Sequence, residues 1–289
     1  MGNRLARGMG LYTPLRALYN SLFLSRSTRT VSIGPLHATF STPTHTIIEH
    51  VESLGGERLL LEQLVEELRN DDVFWDVGAS FGLYAVLAAG KISSPGAVVA
   101  FEPEPRMRAL LERNLRLNGI GSVSVRATAL GDRDGVTEIF RAANPNTGSS
   151  SLAPRRDYRL ERKGTRVDIR KGDTLANPGG SPPPTCLKID VEGSEGRVVA
   201  GMGNLLRNGR LRSLFCEVHP HLLPSFGDSA ASFERALLAS GFALTGRLPA
   251  APSITWSAGG RPSPLHPISH PARTAGESLP HQPASNAPD

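Results

Sequence analysis

The run Val73–Val77 is apolar apart from Asp76 and breaks into Gly78-Ala79-Ser80-Phe81-Gly82, after which an apolar stretch resumes. A buried strand that turns through small residues into a helix fits few architectures, chiefly a doubly wound, mainly parallel sheet with helices on both faces. The rest of the chain repeats that alternation. Ala97–Phe101 is a second, nearly continuous apolar run of the kind a covered parallel sheet requires. Pro105–Leu117 places Met107, Leu110, Leu111 and Leu115 on one helical face and stops at Asn118-Gly119. Further strands are predicted at Val123–Ala129, Val136–Ala142, Thr165–Arg170, Cys186–Asp190, Ser213–Val218, Phe242–Arg247 and Ser253–Trp256. Helices are predicted near Leu54–Leu68, Phe81–Ala89, Glu195–Arg207 and Ser232–Ser240.

With 289 residues the chain can hold one large α/β domain with excess at its ends. The division expected is an N-terminal extension over 1–53, with a small hairpin at Thr30–Phe40, then the main domain over 54–256. From 257 to 289, Pro, His, Ser, Gly and Ala dominate; such a tail buries too little apolar surface to offset its ordering entropy and is expected to be disordered. His266, His270 and His281 are spaced too irregularly within it for a metal site. Apolar runs fall far short of the roughly 20 residues that span a bilayer, and no signal-peptide pattern precedes the domain. A cytoplasmic protein without a transmembrane segment is therefore expected, with a peripheral amphipathic segment near Leu18–Leu24 left open. Cys186 and Cys216 lie in predicted buried strands and read as small core hydrophobes, not as a disulfide or zinc pair. The net charge of +5 draws heavily on Arg155–Lys171, but this stretch has a single aromatic, Tyr158, and interspersed acids. A solvated surface explains it better than nucleic acid does.

In a doubly wound sheet, ligands bind beyond the carboxyl ends of the strands. Gly78, Ser80 and Gly82 form the first turn there, Asp76 ends its strand, and Glu102 ends the next, where an acid can accept from ribose hydroxyls. Asp132 follows the third strand, within reach of an adenine amino group. The G-x-x-x-G spacing lacks the third glycine of the dinucleotide fingerprint, which counts against a pyrophosphate and suits a ligand such as S-adenosylmethionine. Asp190 and Glu192 stand two residues apart at a strand end, and Glu217 and His219 repeat the relation on the next strand. His219 is the natural base, and Asp190 could take a proton or orient a hydroxyl. A divalent metal could sit among these groups but is not favoured, and no metal ligand is assigned. Each feature also has a plain structural reading: a tight turn, a helix cap, or carboxylates paired with Lys188.

Taken together, Asp76–Tyr84 (DVGASFGLY), Ala100–Pro103 (AFEP), Asn114–Gly119 (NLRLNG), Ala129–Gly135 (ALGDRDG), Leu187–Glu195 (LKIDVEGSE) and Glu217–Pro220 (EVHP) resemble the FkbM-type methyltransferases. The resemblance spans roughly Leu60 to Leu248. It implies a Rossmann-like class I methyltransferase sheet, mainly parallel with an antiparallel last strand. It also implies S-adenosylmethionine as donor and O-methylation of a hydroxyl on a small-molecule or sugar-containing acceptor. Ser80 departs from the family pattern, which commonly has Asn there. A nicotinamide-dependent oxidoreductase and a non-catalytic Rossmann-like binding protein are the competing readings.

Overall fold

The computed structural model describes residues 24, 26–93, 98–141, 150–152, 164–177, 179–247 and 253–258. The basic N-terminal segment, 155–163 of the basic stretch and the tail from 259 onward lie outside the described residues. Strands β1 (Thr28–Ile33) and β2 (Leu36–Ser41) form an antiparallel hairpin. Helix α1 (His45–Ser53) follows, capped by the Thr44 hydroxyl, which accepts from the Ile47 N–H. It was not expected from the sequence, because Ile47 and Val51 are its only buried residues and polar side chains surround them. A 3-10 turn (Leu54–Gly56) leads into α2 (Arg58–Glu67).

The alternating core comprises β3 (Phe74–Val77), α3 (Leu83–Lys91), β4 (Val98–Phe101), α4 (Pro105–Leu117) and β5 (Val123–Arg126). Then come β6 (Thr128–Leu130), β7 (Gly135–Arg141), β8 (Ser150–Ser151), β9 (Thr165–Arg170) and the short α5 (Gly172–Leu175). The chain returns through β10 (Cys186–Ile189), α6 (Glu195–Ala200), α7 (Gly203–Arg207) and β11 (Ser213–Glu217). It finishes with α8 (Ala230–Ala239), β12 (Phe242–Arg247) and β13 (Ser253–Ala258). The main sheet has the order β12-β13-β11-β10-β3-β4-β5. Neighbours from β11 across to β5 are parallel, while β13 runs antiparallel between β11 and β12. This is the Rossmann-like sheet with an antiparallel last strand.

Every residue of β3, β4 and β10 is buried, so these strands need helices on both faces. One apolar cluster joins α1 to α4, and a second joins α6 and α8 on the other side. Val31, Ile33, Ala38 and Phe40 of the hairpin and Ile47 and Val51 of α1 belong to the same cluster as Leu87 and Leu111. Two asparagines of the NLRLNG segment complete that attachment. Asn114 accepts from the Ser41 N–H and donates to the Phe81 carbonyl, each at 2.8 Å. Asn118 accepts from and donates to the Thr39 backbone at the same distance. The segment expected as an extension is thus sewn to the turn after β3.

Two predicted elements are divided. The strand expected over Val123–Ala129 leaves the main sheet after Arg126, and β6 pairs instead with β9, beside β7. The helix expected over Glu195–Arg207 breaks at Gly201 and Met202. Gly201 passes so near Gly131 that a Cβ would lie 1.9 Å from its carbonyl oxygen. Cys186 and Cys216 are buried free thiols. Among the described residues no helix is long and apolar enough to cross a membrane.

Candidate active site

The turn after β3 is held by the neighbouring strand's last carbonyl: the N–H groups of Gly78 and Ala79 both donate to Phe101, at 3.1 Å. Gly78 has φ +78°, and a Cβ there would fall 1.8 Å from the Asp190 carbonyl oxygen. Only glycine fits both demands. Ser80 also has positive φ, at 50°, in the left-handed region that asparagine tolerates better than serine. Its N–H donates to Glu102 at 2.7 Å, and the other Glu102 oxygen accepts from the Glu104 N–H at 2.8 Å. Burial pushes the Glu102 carboxyl up to about 7, although both N–H groups oppose the shift.

Beyond this turn lies a cavity of about 200 Å³. Gly78, Ser80 and Glu102 line it near the turn, Leu130, Ile139 and Leu152 give it an apolar wall, and Asp190 and Glu192 also line it. Helix α1 adds Thr46, Ile47 and His50. These α1 residues carry no motif and were not expected. Glu57, also outside the motifs, and Tyr84, the last letter of DVGASFGLY, line the cavity too and are joined by a hydrogen bond from the tyrosine hydroxyl.

Three residues expected at the cofactor do not line the cavity. Asp76 is fully buried behind the turn; its register partner across the parallel pair is Lys188, whose ammonium stands 3.4 Å from its carboxylate. Gly82 is the N-cap of α3 at φ +92°, where a Cβ would come 3.0 Å from Leu111. Asp132 is exposed outside the cavity wall, 3.8 Å from the Arg133 guanidinium. An acid just past a strand faces solvent when the chain turns away, as it does here between β6 and β7.

The structure brings the expected catalytic residues together. Asp190 follows β10, Glu217 ends β11, and the ligating atoms of Asp190, Glu217 and His219 all lie within 4.8 Å of one another. Asp190 and Glu192 line the cavity, whereas Glu217 and His219 stand at its rim. Glu192 is held at φ +54°, an uncommon backbone for a residue with a side chain. The Lys188 ammonium donates to the Gly78 carbonyl at 2.9 Å and lies 3.4 Å from Asp190. Burial would lower its pKa, but Asp76 and Asp190 outweigh that and raise it.

Glu195, unassigned from the sequence, is wholly buried, accepting from the Gly193 N–H at 3.0 Å and meeting His219 Nδ1 at 2.8 Å. Burial would lower the His219 pKa; the bond to Glu195 and the charges of Asp190 and Glu192 reverse this and raise it to about 9. Glu217 is pushed up to about 8, by burial first and then by Asp190. The LKIDVEGSE segment held the signal for Glu195, its last letter; the role needed the fold.

Residues 76–244 match the family described as the methyltransferase FkbM domain, over more than half of the chain. The chain belongs to the FkbM methyltransferase family. With that family it joins the enzymes that transfer methyl groups. The hexuronic acid methyltransferase AglP of Haloferax volcanii is 28% identical over 201 residues, covering 69% of this chain and 77% of that protein. The 31-O-demethyl-FK506 methyltransferase FkbM of Streptomyces tacrolimicus is 28% identical over 216 residues, covering 63% of this chain and 81% of that protein. The crystal structure of methyltransferase FkbM from Methylobacillus flagellatus KT aligns with TM-score 0.43 and 17% identity. That alignment covers 68% of this chain and 46% of the solved one, so the FkbM-family chain described here spans about half of its length.

Proposed function

We propose that this FkbM-family chain transfers a methyl group from S-adenosylmethionine to a hydroxyl of a small-molecule or sugar-containing acceptor. One observation carries the reading: a single cavity is lined by both the glycine turn with Glu102 and the Asp190–Glu192 strand end. The residues present fit the donor. Glu102 offers a buried carboxylate to ribose hydroxyls, Leu130 and Ile139 an apolar wall to the adenine, and Asp190 and Glu192 negative charge to a sulfonium. When bound, S-adenosylmethionine supplies a methyl group activated by its positive sulfur.

The chain's own residues then have two tasks. The turn and Glu102 fix the donor, and the strand ends position the acceptor hydroxyl and relieve it of its proton. We assign the second task to Asp190; the support is that it lines the cavity while His219 does not. The names of the two relatives support this reading: one acts on a hexuronic acid, and the other on 31-O-demethyl-FK506, whose name marks an oxygen that lacks its methyl group.

The test combines calorimetry with S-adenosylhomocysteine and a donor assay against pooled metabolite extract, read by mass spectrometry. Asp190→Asn is expected to cut methyl transfer by about 100-fold while binding of S-adenosylhomocysteine, which has no sulfonium charge, changes less than about threefold. A folded protein that binds no S-adenosylhomocysteine but quenches NADH fluorescence would replace this reading with the nicotinamide one.

A further inference from the structure

The rim of the cavity concentrates more carboxylates than Lys188 alone can neutralise. The Lys188 ammonium is committed to the Gly78 carbonyl, Asp76 and Asp190. Around His219 stand Glu192, Glu195 and Glu217, with Asp190 beside them. Negative charge alone would suit the donor's sulfonium, so the imidazole is the informative group. A sulfonium gains nothing from a ring nitrogen, whereas a metal ion that displaces the ring proton takes the lone pair left behind.

The ring is set for that use. Nδ1 is engaged by the buried Glu195 at 2.8 Å, and Glu195 is itself anchored by the Gly193 N–H. Nε2 is left facing Glu217 at 3.6 Å and Glu192 at 3.8 Å, too far for hydrogen bonds. A histidine held by a carboxylate through one nitrogen, with the other directed at further carboxylates, is the arrangement of a metal ligand and its outer partner. Donor atoms at about 2.1 Å from one ion lie about 3–4 Å apart. The 4.8 Å limit on Asp190, Glu217 and His219 therefore needs only a small closure of the side chains.

We propose that Asp190, Glu217 and His219 hold a divalent cation of the Mg²⁺ or Mn²⁺ class, with Glu195 as the positioning residue for His219. Two carboxylates and one imidazole form a mostly hard donor set, which favours these ions over thiophilic ones. Because Asp190 also lines the cavity, the ion sits where it can fix an acceptor oxygen; that role rests on the transferase reading, but the site does not.

The experiment uses the full chain, treated with chelator and titrated with Mn²⁺ alone, free Mn²⁺ being followed by electron paramagnetic resonance. One Mn²⁺ per chain is expected, displaced by excess Mg²⁺. Glu217→Gln and His219→Ala should each weaken it at least tenfold, and Glu195→Gln by about 10- to 100-fold. Binding of S-adenosylhomocysteine to each metal-free variant reports that it is folded, and its loss in the wild type would sink the transferase reading while leaving the Mn²⁺ result intact. Mn²⁺ binding no tighter to the wild type than to a Glu217→Gln/His219→Ala double variant overturns the site. Unchanged Mn²⁺ affinity in Glu195→Gln overturns the role of Glu195.

Discussion

The glycine-turn end of the cavity and its carboxylate rim are built by opposite means. At the turn, contacts are mostly backbone ones: Gly78 and Ala79 against the Phe101 carbonyl, Gly78 against Asp190, and Ser80 against Glu102. At the rim they are side-chain ones, drawn from β10, β11 and the start of α6, with carboxylates crowded about one imidazole. A backbone-built end has no room for a side chain where two main chains meet, as at Gly78. A charge-built end can be altered without unfolding the chain, and its properties follow from which cation it holds.

The sharpest break in that contrast would come from Gly78→Ala. A Cβ at 1.8 Å from a carbonyl oxygen, at positive φ, cannot be absorbed by a rotamer change. Loss of S-adenosylhomocysteine binding and of about 3 kcal/mol of stability is expected, read by calorimetry and urea unfolding. Wild-type values would show that backbone does not define this end.

Glu102→Gln comes next, with donor affinity down roughly tenfold, as for a lost hydrogen bond to a charged group. Glu102 also sets a pH dependence. Its folded pKa is raised by burial from 4.5 to about 7, so the stability it contributes is fully present below 4.5 and is lost as pH rises through about 7. Melting temperature should therefore fall between pH 5 and 8 more steeply in the wild type than in Glu102→Gln, and parallel profiles would contradict the assignment.

Ser80→Asn should raise stability by about 0.5 kcal/mol, since asparagine enters the left-handed region more readily; urea midpoints measure it. The smallest effect is expected from Asp132→Ala, whose donor affinity should stay within about twofold because the side chain lies outside the cavity. A larger loss in calorimetry would return Asp132 to the adenine end.

Apolar runs and the glycine turn sufficed to read the parallel sheet from the sequence, since strands buried on both faces leave continuous hydrophobic letters. The pairs Asp190–Glu192 and Glu217–His219 were legible for a related reason: strand ends in this fold converge on one edge. For Asp76 the sequence shows that an acid ends a strand, not which neighbour neutralises it. Lys188 lies far away in the chain and meets it only through the register of β3 with β10. Glu57 and the α1 residues left no signal, being brought to the wall by packing of the hairpin, α1 and α2 against α3 and α4.

By itself, then, the sequence determined the sheet, the family and the turn after β3, because local hydrophobicity and one glycine's conformational freedom are properties of neighbouring residues. Tertiary structure alone decided that Gly82 packs on Leu111 outside the cavity lining, that Asp132 faces solvent, and that Glu195 reaches His219. Those outcomes depend on distances between segments remote in the chain, which side-chain chemistry cannot encode until the sheet has set its register.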